Sequence, residues 1–188
     1  MANDSSAPNA GKLPVRMHHH AYVVRDQEQT RHFYEDIIGL PLRATWIESN
    51  EFEGETLVCS HTFYGLGDGG ALAFFNFPDR KMHDKYYSSA PNIFYHIALL
   101  VDAGMQEEIY ARCKAAGAHA FMFDHGYCKS LYVTDPDGLH LEFTVDAADV
   151  NEINAQQAAT ARRSLDAWQA GDRTPNNHVR PHGALHTS

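Results

Sequence analysis

Histidine is the residue type that most strongly suggests chemistry in this sequence of 188 residues, which contains 13 of them. A neutral imidazole binds transition metals, and the group gains or loses its proton near neutral pH. Two of the histidines, His19 and His96, stand at the start of two similar apolar runs, HHAYVVRD and HIALLVDA. The pattern predicts a metal or acid–base site, and the repeated runs indicate which histidines to examine first.

The cysteines suggest no comparable site. Cys59, Cys113 and Cys128 are odd in number and show no C-x-x-C spacing. Reduced thiols fit this pattern better than a disulfide scaffold does, and reduced thiols are typical of the cytoplasm. The N-terminal residues contain no apolar core of a secretory signal. We therefore expect a cytoplasmic protein.

Composition argues against two classes of partner. Hydrophobic residues make up 44% and charged residues 21% of the chain, which is typical of a globular protein. The formal net charge is −9, and no run rich in lysine or arginine occurs. Binding to nucleic acid or to an anionic membrane surface needs concentrated positive charge. No apolar stretch approaches the roughly 20 residues of a membrane-spanning helix. We expect no nucleic-acid or membrane partner.

The two ends of the chain are polar. Residues 1–16 and 172–188 are rich in small and polar residues with proline and glycine, and we predict a disordered leader and a disordered tail there. Residues 147–171 carry apolar side chains at helical spacing, between Val150 and Trp168. This pattern predicts an amphipathic C-terminal helix that packs on the body of the protein or on another subunit.

Two similar segments, residues 17–77 and 93–146, repeat one order of elements. Each begins with a strand, continues with a helix that ends at Gly39 or Gly117, and closes with three strands that include an Asp-Gly turn. The helical stripes consist of Phe33, Tyr34, Ile37 and Ile38 in the first copy and of Met105, Ile109 and Cys113 in the second. We predict two βαβββ modules, joined by a connecting loop or lid at residues 78–92.

The motifs of these segments are similar to those of the vicinal oxygen chelate superfamily. They read HxxxxVRD, HFYEDIIGL, FYHIALLVD and SLYVTDPDGLHLEF, and the resemblance covers about residues 17–146. The superfamily includes glyoxalase I, bleomycin-resistance proteins, extradiol dioxygenases and several epimerases. The resemblance implies an α+β fold in which two tandem βαβββ modules form a curled mixed β-sheet around a metal cavity, here followed by the C-terminal helix. The motifs identify the superfamily but no single activity.

The resemblance implies metal ligands on the first strand of each module and on the last strand of the second. His19 and His96 match the first two places, because each precedes a strand valine, Val24 or Val101, by five residues. Glu142 matches the third. Two imidazoles and one carboxylate form a facial triad that leaves positions open on iron(II). We expect one divalent ion with Fe(II) favoured, and manganese, nickel, cobalt and zinc remain alternatives.

The first module departs from the glyoxalase pattern. Glyoxalase-like relatives place a fourth ligand, usually glutamate, on the last strand of the first module, whereas alignment of the two copies puts Ala73 opposite Glu142. This difference favours a dioxygenase-like site with three ligands. In the same alignment His61 takes the place of Ser130 on the cavity face. His61 is then a fourth ligand, a proton-transfer group or a hydrogen-bonded wall residue.

Two further residues match places where similar extradiol dioxygenases contact substrate. Tyr132 lies ten residues before Glu142, and a phenol there can stabilise negative charge that develops on a substrate oxygen. His125, in DHGYCKSLY, matches the loop before that tyrosine and could donate a proton or a hydrogen bond. The alternatives are a packed strand tyrosine and a simple loop histidine.

Three functions agree with the resemblance. The first is a metal-dependent extradiol-type dioxygenase acting on a catechol or another small molecule with adjacent oxygens. The second is a glyoxalase-like lyase or epimerase that acts through a metal-chelated enediolate, with His61 or a carboxylate moving the proton. The third is a metal-free protein that sequesters a ligand, although such a protein needs no metal ligands. The apolar stripe of the C-terminal helix also offers a surface for a homodimer.

Overall fold

The chain divides into two compact units, residues 1–88 and 89–188. The computed structural model describes residues 14, 16–52, 54–88, 94–172, 174–176 and 183–185. Most of the predicted leader, most of the last twelve residues of the predicted tail and part of the predicted connecting segment therefore lie outside the described residues.

The first unit is a βαβββ module followed by a short helix. Its sheet has the order β1-β4-β3-β2, in which β1 pairs parallel with β4 and the other pairs are antiparallel. The short helix α2 lies within the predicted connecting loop. In chain order the elements are β1 (His19–Val23), α1 (Gln27–Arg31, continued by a π-helical segment His32–Ile38), β2 (Leu42–Phe52), β3 (Glu55–Gly65), β4 (Ala71–Asn76) and α2 (Arg80–Tyr86).

The second unit repeats this module and adds two elements. Its sheet has the order β5-β8-β7-β6-β9, with β5 parallel to β8. In chain order the elements are β5 (His96–Leu100), α3 (Ala103–Ala115), β6 (Ala120–Asp124), β7 (Cys128–Thr134), β8 (His140–Asp146), α4 (Val150–Gln169) and β9 (Gly183–Leu185).

The prediction of an α+β fold with tandem βαβββ modules and a C-terminal helix is confirmed. Both sheets are mixed and remain open. The tail differs from the prediction of disorder, because β9 pairs antiparallel with β6 through Met122, Phe123 and Asp124. The edge of β6 would otherwise present unpaired backbone groups, and such an edge readily accepts another strand. In the part of the chain that the structure describes, no helix is long and apolar enough to span a membrane.

The same local signals begin and end the first helix of each module. The Asp26 carboxylate accepts hydrogen bonds from the backbone N–H groups of Glu28 and Gln29, and Asp102 accepts one from Met105. These acidic N-caps satisfy donors that have no partner inside the helix. Gly39 and Gly117 follow the two helices with φ of 93° and 69°, a left-handed conformation that favours glycine.

The helix of the first module packs as its stripe predicts. Phe33, Tyr34 and Ile38 are buried. The Tyr34 ring lies 4.5 Å from the Phe74 ring and 5.5 Å from the Tyr64 ring, measured between centroids. The helix is therefore fixed on the outer face of the sheet, and the opposite face of β4 and β3 is left for the site.

The stripe of α3 differs from the prediction at one residue. Ile109 and Cys113 are buried, but Met105 is 51% exposed and Gln106 is buried in its place. The Gln106 amide donates to the backbone oxygens of Lys129 and Phe143, at 3.0 and 2.6 Å. A buried amide is tolerated when its donors are paired. The polar residue ties the helix to the sheet, and hydrophobicity alone does not reveal it.

Helix α4 forms where it is predicted, but its apolar stripe is largely uncovered within the chain. Ile153, near the start of the helix, is buried, whereas Leu165 is 50% exposed. Among the described side chains of α4, only Ile153 is buried. The helix therefore packs on the rest of its own chain mainly through its first turns. The remaining stripe is the surface on which the homodimer prediction depends.

Candidate functional site

Two of the predicted metal ligands meet in the second unit. His96 is the first residue of β5, and Glu142 lies on the neighbouring parallel strand β8, opposite Ala98. The His96 Nε2 atom lies 2.9 Å from the Glu142 Oε2 atom. The Glu142 side chain is 9% exposed, so its carboxylate has little access to water. The parallel pairing of the first and last strands of the module thus brings an imidazole and a carboxylate together.

The second carboxylate oxygen of Glu142 is held by a residue to which the sequence analysis gave no role. The Ser130 hydroxyl, on β7, donates to Glu142 Oε1 at 2.5 Å, and Ser130 is fully buried. Hydrogen bonds of this kind orient metal-binding carboxylates. Ser130 and Tyr132 alternate on one face of β7, so the strand period could have indicated this role. With Oε1 occupied, Oε2 remains for His96 or for an ion.

Tyr132 and His125 form a hydrogen-bonded pair beside Glu142. The Tyr132 hydroxyl lies 2.9 Å from His125 Nε2, and this nitrogen lies 3.9 Å from Glu142 Oε1. Burial, and then the neighbouring Glu142 carboxylate, raise the pKa of Tyr132 well above its ordinary value. The phenol therefore keeps its proton at neutral pH and is a hydrogen-bond donor. The structure brings together both residues that the sequence predicted next to substrate.

His140 belongs to the same face of β8 and was missed by the sequence analysis. It pairs in register with His96 and lies two residues before Glu142. Its Nδ1 atom is 3.1 Å from the Thr134 hydroxyl oxygen. Burial, followed by the nearby His96 and His119, lowers the pKa of His140 and favours the neutral imidazole. Because alternate residues of a strand lie on one face, the spacing of His140 and Glu142 in the sequence HLEF could have indicated that His140 lies beside the site.

His19 lies in the first unit, on β1, among other histidines. Its Nδ1 atom is 2.8 Å from Nδ1 of His18, and its ring lies 5.4 Å from Phe63 and 6.0 Å from His61, between centroids. Burial, and then the neighbouring His18, His61 and His20, lower the pKa of His19. The neutral form is the form that binds metals, so this environment favours a ligand role.

His61 is buried on β3 and is held on three sides. Its ring stacks on Phe75 at 3.7 Å and contacts Phe63 at 4.2 Å, between centroids. Its Nδ1 atom lies 2.8 Å from Oε1 of Glu48 on β2. Its Nε2 atom is buried and has no hydrogen-bond partner among the residues that the structure describes. An unpaired buried polar group costs about 1–3 kcal/mol, so this nitrogen is a candidate for contact with a ligand.

Strand register supports the alignment of the two modules. Ala73 lies opposite Ala21 across the β1–β4 pair, just as Glu142 lies opposite Ala98 across the β5–β8 pair. Ala73 is fully buried and offers no donor atom. The position that carries a carboxylate in the second unit therefore carries a methyl group in the first.

The three cysteines are buried thiols, and the Sγ atom of Cys128 lies 3.7 Å from the Ser130 hydroxyl oxygen. Cys59, Cys113 and Cys128 are free and buried. Burial raises the pKa of each thiol above its ordinary value. A thiol that keeps its proton is a poor nucleophile, so thiolate chemistry is disfavoured.

The donor set in the second unit fits a divalent metal ion. An imidazole nitrogen and a carboxylate oxygen are both ligands that divalent transition metals accept. His96 Nε2 and Glu142 Oε2 lie 2.9 Å apart, so the two side chains would hold such an ion together. Within the described residues, no group of three or more His, Cys, Asp or Glu side chains forms a metal-binding cluster. His96 and Glu142 are therefore two of the three predicted ligands, and the role of His19 stays a prediction.

The chain belongs to the Glyoxalase/Bleomycin resistance protein/Dioxygenase superfamily, whose family model matches residues 16–143. This match confirms the family that the sequence motifs indicate. No curated protein matches the chain in a sequence search.

Solved structures share this fold at low sequence identity. A glyoxylase/bleomycin resistance protein/dioxygenase domain from Frankia sp. EAN1pec is 15% identical, with a TM-score of 0.56 over 73% of this chain and 95% of that one. The fosfomycin resistance protein FosX from Listeria monocytogenes is 17% identical, with a TM-score of 0.54 over 74% and 98%. A FosX mutant, 17% identical with a TM-score of 0.52 over 73% and 97%, was solved with Mn(II) and 1S,2S-dihydroxypropylphosphonic acid. These identities establish the fold alone.

Proposed function

We propose that this protein is a metal-dependent extradiol-type dioxygenase that acts on a catechol or another small molecule with two adjacent oxygens. The observation that carries the proposal is the contact of His96 with Glu142, with the hydrogen-bonded pair of His125 and Tyr132 beside it. One pair has the atoms to bind a metal, and the other has the atoms to move or share a proton. Both pairs lie in the second unit, where His125 comes from the loop between β6 and β7 and the other three residues lie on strands.

We further propose that His19, His96 and Glu142 hold one divalent ion. Two imidazoles and a carboxylate suit iron(II) and leave positions open for substrate. Manganese, nickel, cobalt and zinc accept the same ligands, and the Mn(II) in the structure of a FosX mutant supports a divalent ion in a related fold. When bound, such an ion holds neighbouring substrate oxygens and lowers the pKa of a substrate hydroxyl.

The contact between Tyr132 and His125 supports the roles that we propose for them. Because the Tyr132 phenol keeps its proton, it can donate a hydrogen bond to a substrate oxygen that gains negative charge. His125 Nε2 lies at hydrogen-bonding distance from the phenol oxygen and holds it in place. When that nitrogen carries the proton, His125 donates to the phenol oxygen and leaves the phenol hydrogen free for substrate.

A lyase or epimerase is the second candidate function, and His61 favours it. The buried Nε2 atom of His61 has no hydrogen-bond partner in the described part of the chain, and an imidazole nitrogen can remove a proton from a substrate carbon. In this case His61 is the catalytic base, and molecular oxygen takes no part. In a dioxygenase His61 instead contacts a substrate hydroxyl and is less important for turnover.

Oxygen consumption tests the proposal directly. Protein freed of metal is loaded anaerobically with Fe(II), Mn(II) or Zn(II) and mixed with a panel of catechols, and oxygen uptake and ring-cleavage absorbance are recorded. We expect uptake with at least one catechol and one redox-active metal, and none with Zn(II). Metal-loaded protein that consumes no oxygen but exchanges a substrate carbon-bound hydrogen in heavy water contradicts the dioxygenase and supports the lyase or epimerase.

We also propose that the protein forms a homodimer through α4. The half-exposed Leu165 supports this, because the apolar stripe of the helix is little covered within the chain. Light scattering at high protein concentration should give twice the mass of the chain. A monomer mass removes the dimer and leaves the metal proposal unchanged.

A further inference from the structure

The surroundings of His61 determine which of its two nitrogens carries the proton. Glu48 Oε1 lies 2.8 Å from Nδ1, at hydrogen-bonding distance. A carboxylate has no hydrogen to give and only accepts, so Nδ1 must donate in this contact. A neutral imidazole carries one ring N–H, and Nε2 then holds a free lone pair.

The other arrangements fit the structure poorly. With the proton on Nε2 alone, the Nδ1 lone pair would face the Glu48 oxygen at 2.8 Å, and two acceptors repel each other at that distance. With protons on both nitrogens, the Nε2–H group would be buried with no acceptor among the described residues. Of the two neutral forms, the Nδ1–H form alone gives the Glu48 oxygen a donor, and it leaves Nε2 with an unpaired lone pair.

The ring cannot easily turn away from this arrangement. Phe75 stacks on one face at 3.7 Å with an angle of 23° between the planes, and Phe63 lies at 4.2 Å. His61 is only 7% exposed, whereas the Glu48 side chain is 34% exposed. The carboxylate is thus solvated on one side while it holds a ring that is almost completely buried.

We propose that Glu48 is a positioning residue, which fixes His61 in the Nδ1–H form and presents Nε2 as a buried acceptor for a hydroxyl group of a bound ligand. The aromatic rings beside the acceptor favour a ligand that combines an apolar or aromatic body with at least one hydroxyl. The use of this acceptor in turnover rests on the proposed function, but the protonation pattern of the ring does not.

Nitrogen NMR of the full-length protein tests the pattern. In protein labelled with ¹⁵N-histidine and freed of metal, long-range ¹H–¹⁵N spectra at pH 8 distinguish protonated from bare ring nitrogens, and His61→Asn identifies the signals. We expect a protonated Nδ1 and a bare Nε2 for His61. Glu48→Ala should shift both signals towards a mixture of the two neutral forms. Glu48→Gln keeps an acceptor oxygen and should preserve the wild-type pattern.

The matched control is Glu55→Gln. Glu55 lies in the same β2–β3 hairpin, but its carboxylate contacts Lys81 at 3.0 Å. The Glu55→Gln variant removes one negative charge, as Glu48→Ala does, and should leave the His61 signals unchanged. Wild-type signals that show a protonated Nε2, or a Glu48→Ala variant with unchanged signals, overturn the inference, whether or not the protein is a dioxygenase.

Kinetics separate this inference from the proposed function. With any substrate that wild-type protein turns over, Glu48→Ala should lower kcat by about 10- to 100-fold, the range for lost outer partners of a functional histidine, with a smaller change in KM. An unchanged kcat overturns the role of Glu48 in turnover. Wild-type protein that turns over no catechol with any metal counts against the proposed function alone, because the NMR result stands by itself.

Discussion

The inner faces of the two sheets hold different side chains at equivalent backbone positions. The second unit has Ser130, Tyr132 and Glu142 where the first has His61, Phe63 and Ala73. The strand pairs set this correspondence, since Tyr132 lies opposite Glu142 and Phe63 lies opposite Ala73. In the second unit these positions form a connected polar network, and in the first they form an aromatic enclosure around one histidine.

The difference gives the two sheets different polar groups on the same backbone arrangement. A carboxylate on β8 needs donors around it, and Ser130 supplies one while His96 contacts the other oxygen. In the first unit Ala73 takes the equivalent place in β4. Phe75 and Phe63 pack against the His61 ring, and its Nδ1 atom contacts Glu48. The second unit is therefore suited to hold charge, and the first to present one acceptor.

The largest expected effect comes from removing the Glu142 carboxylate, whose equivalent position in the first unit is Ala73. Glu142→Ala takes away one proposed ligand and should reduce metal content by more than the roughly 10- to 100-fold that a lost outer partner costs. Atomic emission of purified protein measures the metal, and circular dichroism checks the fold. The control is Glu152→Ala on the exposed side of α4. Full metal occupancy in Glu142→Ala would rule out its assignment as a ligand.

The next effect concerns the one hydroxyl that distinguishes Tyr132 from Phe63. Tyr132→Phe should lower turnover by roughly one to three orders of magnitude, the range for a single preorganised donor, while metal content stays the same. Steady-state kinetics and metal analysis measure both quantities. Tyr110→Phe on α3 removes a phenol outside the network and should be neutral. A Tyr132→Phe variant with full turnover would favour the lyase or epimerase.

A smaller effect is expected from the hydroxyl that orients Glu142. Ser130→Ala leaves Glu142 Oε1 without its donor and should weaken metal binding by about 10- to 100-fold. Competition with a coloured chelator measures the affinity. Ser164→Ala on α4 is the control. Unchanged affinity in Ser130→Ala would show that the hydroxyl serves packing and not the metal.

The last prediction concerns the free energy of unfolding at alkaline pH. Activity at neutral pH should not be affected. Burial raises the pKa of Tyr64 to about 12, from an ordinary value near 10. The unfolded chain releases this proton first, so the free energy of unfolding should fall by about 2–3 kcal/mol as pH rises from about 10 to 12. Urea unfolding at several pH values measures the fall. Tyr64→Phe should reduce this dependence; an equally steep curve would contradict the assignment to Tyr64.

Much of the fold could be predicted because its signals are local. The Asp26 and Asp102 caps and the glycines after each helix are set by neighbouring residues, and they act in the structure as the sequence indicates. The buried Gln106 shows where this reasoning fails. Its partners are backbone oxygens on two strands distant in sequence, and no periodic pattern reports such partners.

The sequence by itself determined the family, the two modules and the set of side chains that could act on a metal or a proton. The structure places His96 beside Glu142 and Tyr132 beside His125, and the roles of these residues stay predictions. Only the tertiary structure decided which groups contact Glu142 and His61. Ser130 reaches Glu142, and Glu48 reaches His61, through strand register and side-chain geometry within each sheet, and the free energy of those contacts depends on distance and burial that the order of residues does not specify.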